Sequence, residues 1–424
     1  MTRSTMMKRG AAIALLAVLA AACDDFLSVQ DPGRFTDDAL NAPSALNAVA
    51  NGVEGDMWAI YDDFVTFGGL MTDELQHTGT WGQWEDMDQA RIGPAIGTDN
   101  NVHENLLEAR TAAQKAQERF AKVMADSAER TELMARVVAA EAWINLLLGM
   151  HACESPREPL GEPIPDTEMF ALAIPIFTRA INIAQAAGSQ EYVMFATAGR
   201  ARANLFVGNL DAALADAQQV PDDFVYAARF SETAISNSIV SFAHYTYLKA
   251  GGLDPLQQSK VDTVANAIRD PFTNELDARL PFTRRGRGAD NVKIFYNQEK
   301  YTALSDDIPM ASGLEMRLIE AEVRMRQNDL PGAVGMINQV RTAAGLTPHA
   351  TTGLTSELVQ DYLLWERFAQ LYLEGHRMHD LARFNLVGEI MGTGRAIKFA
   401  MDTDELMLNP HTAGNTAGRC PAKS

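Results

Sequence analysis

Trp81 and Trp84 stand in the segment HTGTWGQWEDMDQ (77–89), among Gly, Thr and Gln. A glycine-rich loop presents a tryptophan outward where a helix would bury it. The indole face then accepts the C–H edges of a flat hydroxylated ring, while nearby amides and carboxylates bond its hydroxyls. The alternative for each tryptophan is that it caps the core beneath the loop. Tyr296 follows the arginine-rich stretch RRGRG (284–288), together with Phe295 and Tyr301, and of these three it is the one expected at the surface. The arginines suit a carboxylate or a protein partner. Tyr61, in AIYDDF, is expected in the core.

Other chemistries find little support. His376 and His379 in HRMHD lack the i,i+4 spacing and the glutamate of a zinc-protease helix. No G-x-S-x-G, no G-x-x-x-x-G-K-[ST] and no G-x-G-x-x-G after a strand occurs. Asp62–Asp63 and Asp73–Glu74 are adjacent in sequence, whereas glycoside hydrolysis needs carboxylates that face each other at a set separation. No catalytic residue, metal ligand or cofactor is therefore assigned.

The three cysteines are too few for a disulfide scaffold. Arg3, Lys8 and Arg9 precede an apolar stretch, AAIALLAVLAAA (11–22), of signal-peptide length. Ala20, Ala21 and Ala22 before Cys23 look like a lipobox, which makes Cys23 the lipidated first residue of the mature chain; ordinary cleavage near Ala22 is the alternative. The expected organisation is a leader, 1–22, and one domain, 23–424. In an oxidising envelope the remaining pair, Cys153 and Cys420, favours a disulfide over two free thiols.

Of 424 residues, 36 are Lys or Arg and 55 are Asp or Glu, a net charge of −19; without the leader it is −22. This argues against nucleic acid and suits neutral or basic ligands over strongly anionic ones. The elements that must carry the candidate residues read mostly as helix. Leu133, Val137, Ala140, Ile144 and Leu147 form one apolar stripe, and Leu358, Tyr362, Trp365, Ala369 and Tyr372 another, in a helix spanning 355–384. Residues 168–187 and 190–206 suit paired helices, 154–166 and 281–290 read as loops, and short extended pieces are expected near 292–296 and 396–400. RANLFVGNLDAALADAQQV (202–220) aligns without gaps to EVRMRQNDLPGAVGMINQV (322–340), with Gly208/Asn328 at a tight turn. This helix–turn–helix echo resembles the tetratricopeptide pattern, whose units bury their faces only by stacking.

Several segments resemble the SusD/RagB family. CDDFL (23–27) looks like its lipoprotein start, and MTDE (71–74) with the tryptophan loop fits its N-terminal region. AEVRMRQNDLPGAVGMINQVRTAAGL (321–346) is similar to another family segment. ERFAQLYLEGHRMHDLARF (366–384) resembles its E-R-x-x-E-L-x-x-E-G-x-R-x-x-D-L-x-R-w signature, with Gln370 and Phe384 as departures, and the ending GRCPAKS departs further. The resemblance implies a mostly α, tetratricopeptide-like superhelix with irregular loops and few short strands. It also implies an outer-membrane lipoprotein, held in the membrane by its lipid anchor and facing the exterior, that binds a glycan or other oligomeric nutrient and partners a TonB-dependent, SusC-like transporter without being an enzyme. Asp24–Asp25 resembles the surface-export signal of Bacteroidetes-type lipoproteins; a solvated linker is the alternative. The rival from another class is a helical-repeat envelope lipoprotein that docks proteins and takes no small ligand. Within the signature, Glu374/Arg377 and Asp380/Arg383 are spaced to pair along a helix, and Gly375 allows close approach of a neighbouring helix.

Overall fold

The computed structural model describes residues 37, 39–91, 101–241, 246–247, 261–262, 267–396 and 398–412. The leader, Cys23 and Cys420 lie outside them. Of the unit Met1–Leu46, the described part is two short 3-10 turns, Ala39–Asn41 and Pro43–Ala45, and the first residue of a long helix; the rest concerns the unit Asn47–Ser424.

The first elements are α1 (Leu46–Met71), the two-residue strand β1 (Gln76–His77), α2 (Gly82–Asp88), α3 (Asn101–Met124) and α4 (Glu132–His151). Thr131 starts α4 by accepting a hydrogen bond from the Met134 amide at 3.3 Å. The single apolar stripe expected for this helix is too narrow a description: from Met134 onward it is buried on nearly every face, including Glu141 and Asn145. It packs against α3, against α5 (Asp166–Ala187) and against α6 (Gln190–Phe206), so it has no solvent side to keep polar. Small residues make this possible. Trp143 stacks on Phe195 at 4.8 Å and meets Phe177 edge-on at 5.7 Å, and a Cβ on Gly199 would stand 2.3 Å from Phe177.

The paired helices expected at 168–187 and 190–206 are α5 and α6. The loop expected at 154–166 instead contains the antiparallel strands β2 (Glu154–Pro156) and β3 (Pro163–Pro165). After α6 comes the first copy of the echo: Gly208 turns at φ +83° into α7 (Leu210–Ala217). Between α7 and residue 313 the described residues form a one-turn helix, Ser238–Ser241, and the strands β4 (Val225–Ala228), β5 (Thr246–Tyr247), β6 (Val261–Asp262), β7 (Ala267–Arg269), β8 (Leu276–Arg287), β9 (Ile294–Gln298) and β10 (Ile308–Ser312). The expected loop at 281–290 is thus largely strand: β8 pairs with β9 in the sheet β6–β7–β8–β9. Alternation was hidden there because a bulge between Arg284 and Gly286 interrupts the period of two.

The chain rejoins the row with α8 (Gly313–Arg326), which packs against α6 and α7, and with α9 (Leu330–Ala343). Asn328 turns between them at φ +64°, matching Gly208 in the echo, and the Asp329 and Asn209 amides bond the carbonyls of Arg324 and Asn204 in the same way. Both copies therefore use one helix-ending turn with a left-handed residue. The helix expected over 355–384 is two, α10 (Ser356–Gln370) and α11 (Arg377–Arg383); a last helix, α12 (Thr403–Leu408), follows. Between α10 and α11 the backbone is left-handed at Leu373 and Gly375. Its freed groups are taken up by distant side chains. Tyr61 donates to the Glu374 carbonyl (2.7 Å), Lys300 to that of Tyr372 (2.6 Å) and Tyr301 to that of Leu373 (3.2 Å), while Glu74 accepts from the Leu373 amide (2.9 Å). Tyr61 is buried, as expected.

Candidate ligand-binding site

The segment expected to be one glycine-rich loop is a short loop running into α2, which carries Trp84 and starts after Trp81, and it is fixed from three sides. His77 pairs with Thr246 through β1–β5, and its amide donates to Asp88 Oδ2 at 3.3 Å, which closes the loop onto the end of α2. The tip of the β8–β9 hairpin supplies the third tie. The Asp290 amide donates to the Thr78 carbonyl (2.8 Å), and Lys293 Nζ donates to the His77 carbonyl (2.8 Å) and to Glu85 Oε2 (2.7 Å). Gly288 admits this contact: a Cβ there would lie 2.3 Å from Thr78 Cβ.

The two tryptophans part company on this frame. Trp81 stands at the residue before α2 and is 45% exposed. Trp84, three residues on, is half-buried and meets Phe67 edge-on at 5.8 Å and Trp81 at 5.8 Å. Trp84 thus buttresses, and Trp81 is presented. Beside Trp81 lies an open cavity of about 400 Å³ walled by Trp81, Glu85, Asp290, Val292 and Lys293, within the range of small-ligand sites. Val292, 71% exposed, extends the apolar wall. The hairpin-tip residues had no signal in the sequence, because they reach Trp81 across more than 200 positions of chain.

Tyr296 is half-buried on β9, opposite Arg284 on β8, and meets Phe282 edge-on at 5.6 Å; Phe295 and Tyr301 are buried. It lies about 10 Å along the strand from Lys293 at ~3.3 Å per residue. Arg285 pairs with Glu299 at 3.1 Å, and Arg287 is bonded to the carbonyl of Val292.

Cys153 is disulfide-bonded.

A larger groove of about 600 Å³ lies between α3, α4 and α5. Its floor is self-satisfied: Gln114 and Gln117 donate to Glu141 (2.8 and 2.7 Å), and Arg179 donates to Gln117 (2.6 Å). No aromatic side chain lines it, so it lacks the feature that singles out the smaller cavity.

A second arrangement has catalytic geometry without access. His103 Nδ1 lies 2.7 Å from Asp402 Oδ2, and its Nε2 lies 2.9 Å from Ser155 Oγ. Burial would raise the Asp402 carboxyl, but the bonds from His103 and from the Glu405 amide hold it below the usual carboxylate range. Ser155 and His103 are 0% exposed, so no substrate carbonyl reaches the hydroxyl. The trio ties the 398–412 segment to α3 and β2, alongside Phe399 stacked on His151 at 4.4 Å.

The signature charges are internal fasteners. Arg377 grips Asp73 through two bonds of 2.7 Å, and Glu374 pairs with Lys300 at 2.7 Å, so the expected Glu374–Arg377 pair is replaced: the helix break turns the two apart. Asp380 does pair with Arg383 (2.9 Å) and also with Arg367 (2.7 Å). Two guanidiniums hold the Asp380 carboxyl low against the opposing effect of burial. Asp270, His349 and Glu366 offer ligand atoms within 4.8 Å of one another. Arg341 Nη1 stands between the two carboxylates at 2.5 and 2.6 Å, and Arg279 takes the other Glu366 oxygen at 2.7 Å, so the cluster is an ion network already closed by cations. Gly375 does admit a neighbouring helix: a Cβ would meet Phe64 of α1 at 2.6 Å.

The row of stacked helix pairs, with a loop and hairpin that lift one indole from its surface, defines a tetratricopeptide-like scaffold. Residues 315–419 match the model of the SusD family. The fold is shared with solved structures at low identity. A SusD superfamily protein from Bacteroides vulgatus is 14% identical over 87% of this chain and 97% of its own, with a TM-score of 0.66. B. fragilis NanU is 12% identical over 93% and 100%, TM-score 0.68. A SusD-like carbohydrate binding protein from B. vulgatus is 13% identical over 80% and 83%, TM-score 0.56. No curated protein matches the sequence. The family match thus falls on residues 315–419, the stretch that holds the signature, and beyond it the likeness to these structures is one of fold.

Proposed function

We propose that this is a lipid-anchored outer-membrane binding protein that captures a glycan or oligosaccharide at Trp81 and hands it to a TonB-dependent, SusC-like transporter. The observation that carries the ligand reading is the exposed Trp81 face above a cavity of about 400 Å³. An indole held partly open at the surface over a cavity offers a platform on which a sugar ring can stack. Trp84 serves by holding that face, and Tyr296 with Arg284 forms a second contact point further along the hairpin. Cys23 carries the lipid after removal of residues 1–22, and 23–424 is the working domain, facing the cell exterior. In this reading the protein binds and releases without breaking covalent bonds, and the Ser155–His103–Asp402 arrangement serves the core in which it is sealed. With Cys23 acylated, Cys420 is the partner left for Cys153.

Trp81→Ala tests the reading. Oligosaccharide binding by the full mature chain should fall at least roughly tenfold, as befits a lost aromatic anchor, while the melting temperature stays nearly unchanged. Trp84→Ala should lower both, because its ring packs on Phe67. Retained binding in Trp81→Ala would move the weight to the protein-docking alternative.

A further inference from the structure

The charges around the Trp81 cavity narrow what it accepts, granted that Trp81 is the ligand platform. Lys293 is the one cationic side chain among the described residues that line the cavity. Its ammonium is already engaged by the His77 carbonyl (2.8 Å) and Glu85 (2.7 Å), with Asp88 at 3.5 Å. Its charge is therefore already set against carboxylates of the protein. Arg287, on the other strand of the hairpin, is turned to the carbonyl of Val292 at 2.8 Å. Asp290 offers the reverse. Its Oδ1 accepts from the amides of Val292 (2.9 Å) and Lys293 (3.0 Å), which fixes the carboxylate at the cavity wall, and its Oδ2 has no hydrogen bond among the described residues. The side chains that line the cavity are thus an indole face, an aliphatic wall, the Thr80 hydroxyl, two carboxylates and a lysine already paired with one of them.

We propose that the unit seated at Trp81 is a sugar without acidic groups, and that Asp290 excludes uronic, sialylated and sulfated sugars. A hydroxyl or ammonium donates to Asp290 Oδ2 while the ring lies on Trp81. A carboxylate or sulfate in the same place meets a fixed like charge, and the one cation among the described residues that line the cavity is already paired with Glu85. Like-charge juxtaposition is an effective way to reject a wrong ligand. This goes beyond the net charge of the chain, because it assigns the discrimination to one residue in one cavity.

The test is an array of neutral, amino and acidic oligosaccharides probed at low ionic strength with the full mature chain and with Trp81→Ala and Asp290→Asn. The asparagine keeps an Oδ1 acceptor for the two amides, and a melting curve confirms that the hairpin tip is retained. Binding confined to neutral or amino sugars, lost in Trp81→Ala, with acidic sugars gaining roughly tenfold in Asp290→Asn as one like charge is removed, is the expected result. Acidic sugars bound by the parent chain and lost in Trp81→Ala would overturn the exclusion and leave the Trp81 platform standing. An unchanged response to acidic sugars in Asp290→Asn would overturn the role of Asp290. Binding that ignores Trp81→Ala, or an array with no binding at all, would overturn the platform and this inference with it.

Discussion

Burial pushes the Glu74 carboxyl up to about 8, and the neighbouring Asp73 adds to the effect; the bond from the Leu373 amide and the charges of Arg377 and Lys300 only partly oppose it. The folded chain thus keeps a proton that the unfolded chain releases near its ordinary value of 4.5. Between these values the folded state binds more protons, so unfolding free energy falls as pH rises. Stability from this group is fully present below about 4.5 and is lost as pH passes 8. Asp62, raised to about 7 chiefly by burial, acts in the same direction. The melting temperature should fall between about pH 5 and 9, and Glu74→Gln should flatten part of that fall, since the amide oxygen still accepts from Leu373. An unchanged slope in Glu74→Gln would show that Glu74 is ionised in the fold. Adjacent Asp73 and Glu74 look alike in sequence. Their partners differ: Arg377 grips Asp73, while the Leu373 amide donates to Glu74, each across about 300 positions of chain. The two tryptophans show the same limit: their types announced a stacking surface, but Phe67 and the hairpin tip decide which ring is presented.

At the scale of elements, the legible features were those with local causes. The echo at 202–220 and 322–340 was readable because its turn chemistry lies inside the repeat, and both copies turn at the aligned residue. The break between α10 and α11 was not readable. An apolar stripe continues through it, and the groups that satisfy its unwound backbone come from Tyr61, Glu74, Lys300 and Tyr301. Strand β8 escaped for a similar reason, since a bulge breaks its alternation within the arginine-rich stretch and its pairing partner lies beyond the turn at 288–293. The break predicts a strong mutational contrast. Gly375→Ala forces a side chain into φ +74° and within 2.6 Å of Phe64. Together, backbone strain and overpacking should cost about 2–4 kcal/mol in urea unfolding. Gly335→Ala, in mid-α9 with nothing within 4 Å of the added Cβ, should be neutral or stabilise by up to ~1 kcal/mol. Similar losses for both would mean that the turn at Gly375 is pliable and that Phe64 yields.

For the whole molecule, the helical row and the buried ion pairs explain how distant segments are held without showing where the protein works. Arg377–Asp73 and Arg341–Glu366 each bridge segments apart in sequence. Removing one partner of such a pair leaves a buried charge uncompensated, so these residues fix the scaffold on which the Trp81 cavity is mounted. Covalent linkage follows the same logic. If Cys23 is lipidated, peptide mapping without reductant should recover Cys153 joined to Cys420, and Cys23→Ser should release the protein from membranes with that link intact; a Cys23–Cys153 peptide would refute the anchor. The transport role is decided by company. A mild-detergent pull-down of the tagged, lipidated chain from its native outer membrane should bring down a TonB-dependent barrel in stoichiometric amount. Recovery should persist in Trp81→Ala, because capture of ligand and docking to the barrel are separate tasks in a hand-over mechanism. Loss of the barrel with Trp81 would mean that the exposed indole is itself a protein contact. Recovery of a different assembly would favour the docking scaffold and leave the family fold serving another purpose.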